Sequence, residues 1–229
     1  MQAVLVSARP WNKGMIQNLE ARTSCSFTLI SDPRDLTVER LFSIAPQFVF
    51  FPHWSHRIDE AVYKKFECVM FHMTDLPFGR GGTPLQNLIV RGIRETKISA
   101  FRCVEEMDAG PIYLKKPLSL HGSAGEIYLR AAHIIEEMIV EILSTRPMPQ
   151  PQVGEPTIFK RRRPEDSNLS AARSLEEAFD MIRMLDAEGY PHAFLDVGRF
   201  RLEFTGASQQ TDKIAADVRI RLVDKSDKE

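Results

Sequence analysis

Cysteine is scarce in this 229-residue sequence, with three residues, and no sign of charge is in excess: 30 Lys and Arg stand against 31 Asp and Glu. Cys25, Cys68 and Cys103 lie far apart, without CxxC-type spacing. That pattern speaks against a disulfide framework or a zinc knuckle and for free, buried thiols in a reducing compartment. A net charge of −1 supplies no global field that would draw the chain onto nucleic acid or an anionic membrane. No apolar run approaches the roughly 20 residues of a spanning helix. The opening MQAVLVSARP has neither the basic region nor the apolar length of a secretory signal. A cytoplasmic protein with no membrane and no nucleic-acid partner is therefore expected. The absence of GxGxxG after the first strand-like run leaves the dinucleotide-binding reading little support.

What is present alternates between short apolar runs and amphipathic segments. Residues 3–7, 26–30, 48–51, 68–71, 98–104 and 112–114 read as strands, each bounded by turn or breaker residues. Helices are expected after residue 14, over 36–44, 57–65 and 83–91, and from Ser123 to about residue 143, where Ser123 and Glu126 form a capping box. This order predicts an α/β fold: a Rossmann-like, mostly parallel twisted sheet flanked by helices. Residues 1–145 would form the catalytic domain. A Pro-rich linker and basic segment, 146–166, would follow, read as extended chain. Residues 167–229 would make a small α+β appendage, with a helix capped by Ser174 and Glu177 and strands over 192–197, 199–205 and 215–223.

The chemistry is sought in CVMFHMTDLPFGRGGTPLQN, residues 68–87. An apolar strand runs there into a Gly-rich turn, placing His72 at the carboxyl end of the strand, the edge at which open α/β sheets bind ligands. A second segment, EEMDAGPI at 105–112, offers Asp108 before a Gly-Pro turn. A histidine and a carboxylate can exchange a proton near neutral pH. Taken singly, such a histidine is a hydrogen-bonded structural residue and such an aspartate a turn former. His53 and His56 lack a third ligand, so no metal is expected.

His72 with Leu76-Pro77, Arg80-Gly81-Gly82, Thr83-Pro84 and Gln86 resembles the HPSLLP…RG..P.Q signature of formyltransferases that use N10-formyltetrahydrofolate. Met107-Asp108-Ala109-Gly110-Pro111-Ile112 resembles the DxGxI element of that family, and the separation, 108 − 72 = 36, is the one found there. The resemblance implies N10-formyltetrahydrofolate as formyl donor, with His72 and Asp108 catalytic and Asp108 orienting the imidazole or relaying a proton through water. It implies donor contacts from Trp54, Ile58, Met70, Leu76, Pro77, Gly82 and Glu106. Acceptor contacts would come from Trp11 and Lys13, beside Asn12 in the turn after the first strand, and from Arg80, Arg161 and Arg162. The last two sit in the run KRRR at 160–163, where clustered cations can grip a diphosphate or form a solvated face.

One departure matters. The family places Asn two residues before the histidine, where this sequence has Met70, and a thioether donates no hydrogen bond. Thr74, Asn87 and the backbone N–H groups of 79–82 are the nearby replacements for an oxyanion donor. The short tail, too short for a full OB-fold, and the neutral charge point to the sugar N-formyltransferase branch. The expected acceptor is a nucleotide-linked amino sugar, with UDP favoured over dTDP or GDP. Another amine, on an aminoacyl group or a glycinamide-type precursor, is the alternative enzyme reading. A non-catalytic folate or nucleotide-sugar binder is the third, and a homodimer is left open.

Overall fold

A computed structural model describes residues 1–9 and 12–223, with the Lys13 side chain also outside the description. Its strands are β1 (Gln2–Val6), β2 (Ser26–Ile30), β3 (Phe48–Phe51), β4 (Cys68–His72), β5 (Arg80–Gly81), β6 (Glu95–Arg102), β7 (Ile112–Ser119), β8 (Ile158–Phe159), β9 (Ala193–Val197), β10 (Phe200–Gln209) and β11 (Ile214–Leu222). Its α-helices are α1 (Lys13–Arg22), α2 (Val38–Ile44), α3 (Glu60–Tyr63), α4 (Pro84–Ile89), α5 (Ala124–Thr145) and α6 (Leu175–Arg183). The chain divides into two compact units. The first comprises Met1–Pro84, Thr96–Leu118 and Leu129–Phe159; the second comprises Leu85–Glu95, Ser119–Tyr128 and Lys160–Glu229.

The first unit is built on the sheet of order β2-β1-β3-β4-β6-β7. β1 pairs in parallel with β2 and β3, and β3 with β4, whereas β4 and β6 are antiparallel. A parallel sheet covered on both faces needs strands apolar at every position. β3 meets that need with FVFF, all four residues buried. One face gathers Val4, Val6, Val49, Phe51, Ile58, Val62 and Cys68 into a continuous core. The Rossmann-like sheet with a small C-terminal sheet is the architecture the sequence predicts.

The Pro-rich stretch after α5 is extended, as its composition implies, yet it is not a free spacer. Gln150 exchanges both backbone hydrogen bonds with Ile112, at 2.7 and 2.8 Å, and β8 then pairs in parallel with β5. Proline cannot continue the helix and leaves carbonyls able to accept, so this segment docks as a strap.

In the second unit, β9, β10 and β11 form an antiparallel sheet in the order β11-β10-β9. α6 opens on Ser174, whose Oγ accepts the Glu177 N–H at 3.2 Å. Arg183 is buried at its far end. Its Nε donates to Asp180 Oδ1 at 2.6 Å, and its Nη1 donates to the carbonyls of Leu120 and Gly122 at 2.7 and 2.9 Å. The capping box forms too: Ser123 N–H donates to Glu126 Oε2 at 2.7 Å and Glu126 N–H to Ser123 Oγ at 3.3 Å.

Candidate active site

Alternation along β4 puts Cys68, Met70 and His72 on one side of the sheet. Cys68 and Met70 continue the apolar core, and His72, at its end, remains 9% exposed. The chain then folds back on itself. Ser99 on β6 pins the first part of the turn, donating to the Thr74 carbonyl at 2.7 Å and accepting the Leu76 N–H at 3.2 Å. Lys115 on β7 reaches Asp75 Oδ1 at 2.5 Å and also the Leu76 carbonyl. Burial pushes the Asp75 carboxyl up, but Lys115 and Lys97 outweigh it and hold the group below the ordinary carboxylate range.

The strap supplies the rest. The N–H groups of Gly79 and Arg80 donate to the Thr157 carbonyl at 3.0 and 2.9 Å, and that of Gly82 donates to Phe159 at 3.3 Å. Only glycine suits position 79: φ is +77°, and a Cβ would lie 2.7 Å from the Phe159 ring. This closeness brings the Gly79 carbonyl to 2.8 Å from His72 Nε2. A carbonyl can only accept, so the Nε2 proton is fixed and Nδ1 is left to gain or lose a proton.

Nδ1 faces Asp108 Oδ2 at 3.7 Å, too long for a direct hydrogen bond but a span across which a water can mediate. The tautomer is therefore set by the Gly79 carbonyl, and of the two roles expected for Asp108 the relay through water is the one this span suits. Asp108 adopts φ +54°, a left-handed backbone that non-glycine residues seldom take. Its Oδ2 accepts the Gly81 N–H at 2.8 Å. Two residues on, the Gly110 backbone passes so near β6 that an added Cβ would stand 1.7 Å from the Arg102 carbonyl.

The remaining expected site residues fall into several settings. Arg80 is buried, its Nη1 on Glu106 Oε1 at 2.8 Å and its Nε and Nη2 on Gln152 Oε1 at 3.1 and 2.8 Å, so its guanidinium is engaged inside the first unit. Glu106 is otherwise exposed. Leu76 is fully buried beneath the turn, and the Pro77 carbonyl accepts the Thr157 N–H at 3.2 Å. Ile58 belongs to the apolar core, with Trp54 and Met70 packed against it. The Trp54 indole lies edge-on to Phe51, and its Nε1–H is buried without a hydrogen-bond partner. Arg161 and Arg162 belong to the second unit, Arg161 exposed and Arg162 donating to the Asp166 carbonyl at 2.6 Å. Trp11 and the Lys13 side chain lie outside the described residues. Asn12 is buried with its Nδ2 on Ser7 Oγ at 2.6 Å.

The replacements expected for the missing Asn donor are largely committed elsewhere. The Thr74 hydroxyl points at the Gly79 carbonyl at 3.4 Å, and the Asn87 amide donates to the Lys160 carbonyl at 2.9 Å. All four backbone N–H groups of 79–82 have acceptors already. The helix expected over 83–91 is shorter, α4 having only six residues, and Thr83 before it has φ +46°, outside the extended geometry of an N-cap. Neither nearby thiol is a nucleophile at neutral pH, because burial raises both, Cys103 to about 11 with the Asp108 charge adding to the effect. His53, burdened by burial and then by Arg9, is lowered to about 4. Among the described residues no group of three His, Cys, Asp or Glu is placed to hold a metal, and no helix is long and apolar enough to cross a membrane.

Sequence reasoning missed Gln152 and Ser99, which hold the two sides of this site. Ser99 stands in an apolar strand, and a lone buried serine among apolar residues is the signal that could have found it.

Residues 164–221 match the family model described as methionyl-tRNA formyltransferase, C-terminal domain. The whole fold is similar to a solved methionyl-tRNA formyltransferase from Clostridium thermocellum, with a TM-score of 0.94, 47% identity, and coverage of 97% of this chain and 100% of that one. The curated methionyl-tRNA formyltransferase of Cutibacterium acnes is 29% identical over 157 residues, 66% of this chain and 50% of its own length. The chain thus spans about half the length of the curated relatives it matches. A sugar N-formyltransferase from a Shewanella species is 16% identical with a TM-score of 0.71, covering 93% of this chain and 99% of that one. That likeness extends to the fold alone, so the expected placement in the sugar branch has fold-level support. The short tail, from which the sugar branch was expected, is the part that matches the methionyl-tRNA formyltransferase C-terminal domain. The chain belongs to the N10-formyltetrahydrofolate-dependent formyltransferase family.

Proposed function

We propose that the protein transfers a formyl group from N10-formyltetrahydrofolate to the amine of an aminoacyl acceptor, with methionyl-tRNA as the first to test. The observation that carries the transfer is the facing of His72 Nδ1 and Asp108 Oδ2 at the carboxyl end of β4. His72 is anchored through Nε2, so the proton lost by the attacking amine is received at Nδ1, directly or through water. Asp108, held by the Gly81 N–H, stabilises the imidazolium that results. Gly79 and the turn behind it keep the ring from rotating away. The same imidazolium then returns the proton to the departing nitrogen of the folate.

The folate fits this edge on a feature of the protein itself. Trp54, at the end of β3 beside β4, carries a buried indole N–H with no partner, a donor that a polar ligand would satisfy. We assign to Trp54 the aromatic wall and one hydrogen bond of the donor site.

The aminoacyl acceptor is favoured by the 47% identity across nearly the full chain and by the match of residues 164–221. A nucleotide-linked amino sugar, expected from the sequence, keeps fold-level support only. The test is release of tetrahydrofolate with each acceptor in turn. Turnover with methionyl-tRNA and none with UDP-, dTDP- or GDP-linked amino sugars supports the reading; the reverse replaces it. Folate binding without turnover for any amine would leave a binding protein.

A further inference from the structure

The strap carries a side chain whose contacts converge on the proposed proton-transfer pair. Gln152 Nε2 donates to the Asp108 carbonyl at 2.8 Å and to the Gly110 carbonyl at 2.9 Å. Its Oε1 accepts from Arg80 Nε and Nη2 at 3.1 and 2.8 Å. Both hydrogens and both lone pairs of one amide are thus used. The orientation of the amide is fixed by these partners, since the two backbone carbonyls can only accept and the guanidinium can only donate.

We propose that Gln152 is a positioning residue for Asp108, clamping the left-handed backbone of residues 108–110 so that the carboxylate is presented to His72. Asp108 takes φ +54° without the freedom of glycine, and a backbone in that region persists only where its surroundings hold it. Three holds are present: the Gly81 N–H on the carboxylate, the Gln152 amide on the peptide carbonyls, and the close passage of Gly110 against β6. Gln152 also ties the Asp108 loop to Arg80, the residue before Gly81, so the strap joins both sides of the contact that orients the carboxylate. Arg80 is accordingly a support of the site through Gln152 and Glu106. A glutamate at 152 could keep Arg80 but would set carboxylate oxygens against two carbonyls. An alanine would free both sides.

The inference rests on the formyl-transfer reading of His72 and Asp108. Its test compares Gln152→Ala and Gln152→Glu with the unmodified protein in N10-formyltetrahydrofolate-dependent formylation of methionyl-tRNA. Alongside activity, hydrogen exchange at the Gly81 amide reports the Asp108 contact without needing turnover. Both variants should lower kcat by about 10- to 100-fold, the scale of a misplaced catalytic group, and leave the donor KM within about twofold. Gly81 exchange should accelerate about tenfold or more, as expected for a locally released hydrogen bond. In an Asp108→Asn background, Gln152→Ala should add almost nothing, because the two residues act as one unit. A general packing defect would instead multiply the two losses. The proposal is overturned if Gln152→Glu folds with unchanged kcat and unchanged Gly81 protection, or if the two losses multiply. Should the unmodified protein transfer no formyl group to any acceptor, the functional reading fails, and Gly81 exchange still decides the clamp. If Gln152→Ala does not fold, Gln152→Glu, which retains the link to Arg80, decides it.

Discussion

In the turn at 73–82, four successive N–H groups, from Gly79 to Gly82, find acceptors within the first unit, and the cation beside them is buried and paired. On β11, at the edge of the C-terminal sheet, Val218, Ile220 and Leu222 stand 46%, 64% and 55% exposed. The two regions are of similar length and both are largely backbone-bonded, but one is determined from several sides and the other from one. A catalytic histidine needs a fixed tautomer and a fixed neighbour, so constraint collects where the chemistry is proposed. The outer strand is held by its ladder with β10.

This contrast can be broken at four points. The largest effect is expected at the pair itself. Asp108→Asn should lower kcat by roughly 10³- to 10⁴-fold, since an amide cannot balance an imidazolium. His72→Ala should fall to a similar level, and circular dichroism should show both folded. A His72→Ala protein with near-normal turnover would end the proposed role.

Next comes stability. Gly79→Ala forces a left-handed φ on alanine and drives a methyl into the Phe159 ring. It should cost about 2 to 4 kcal/mol in denaturant unfolding, the sum of backbone strain and overpacking. Ile220→Ser on the exposed strand should change stability by no more than about 0.5 kcal/mol. Equal losses in the two variants would dissolve the comparison.

Met70→Asn is expected to have a smaller effect and of opposite sign. Because the turn N–H groups are all in use, an amide placed two residues before His72 should supply an added oxyanion donor. A fully aimed donor is worth about 10²- to 10³-fold. The gain here should be nearer tenfold, since the amide enters an apolar cluster at some cost. An unchanged kcat would mean that another group, with Trp54 Nε1 the first to examine, already serves.

The smallest effect is expected in the second unit. Replacing Arg161 and Arg162 with Ala should raise the acceptor KM by about fivefold, the scale of exposed charge contacts, and leave kcat nearly unchanged. No change in either constant returns the run to a solvated face.

The sequence made the central sheet legible because strands buried on both faces are uninterrupted apolar runs. β2 and β3 occupy 26–30 and 48–51 as the runs imply. β7 was harder: it continues through Lys115, Lys116 and Pro117 to Ser119, where charge and proline suppress the strand pattern although Lys115 has a buried task on Asp75 and Leu76. His72 and Asp108 were legible because their flanking motifs are local. Gln152 was not, since it meets Arg80 and Asp108 across 72 and 44 residues of chain, and nothing in a Pro-rich stretch announces a tertiary partner. The acceptor was not legible, for a related reason. A neutral net charge and a short tail describe the chain as a whole, whereas recognition depends on local surface.

The most direct measurement is tetrahydrofolate release when the protein is mixed with N10-formyltetrahydrofolate and methionyl-tRNA, run beside the Asp108→Asn variant. The account predicts turnover with formylated methionyl-tRNA as product and its loss in the variant. Release that is equally fast in Asp108→Asn, or transfer only to a nucleotide-linked amino sugar, would contradict it.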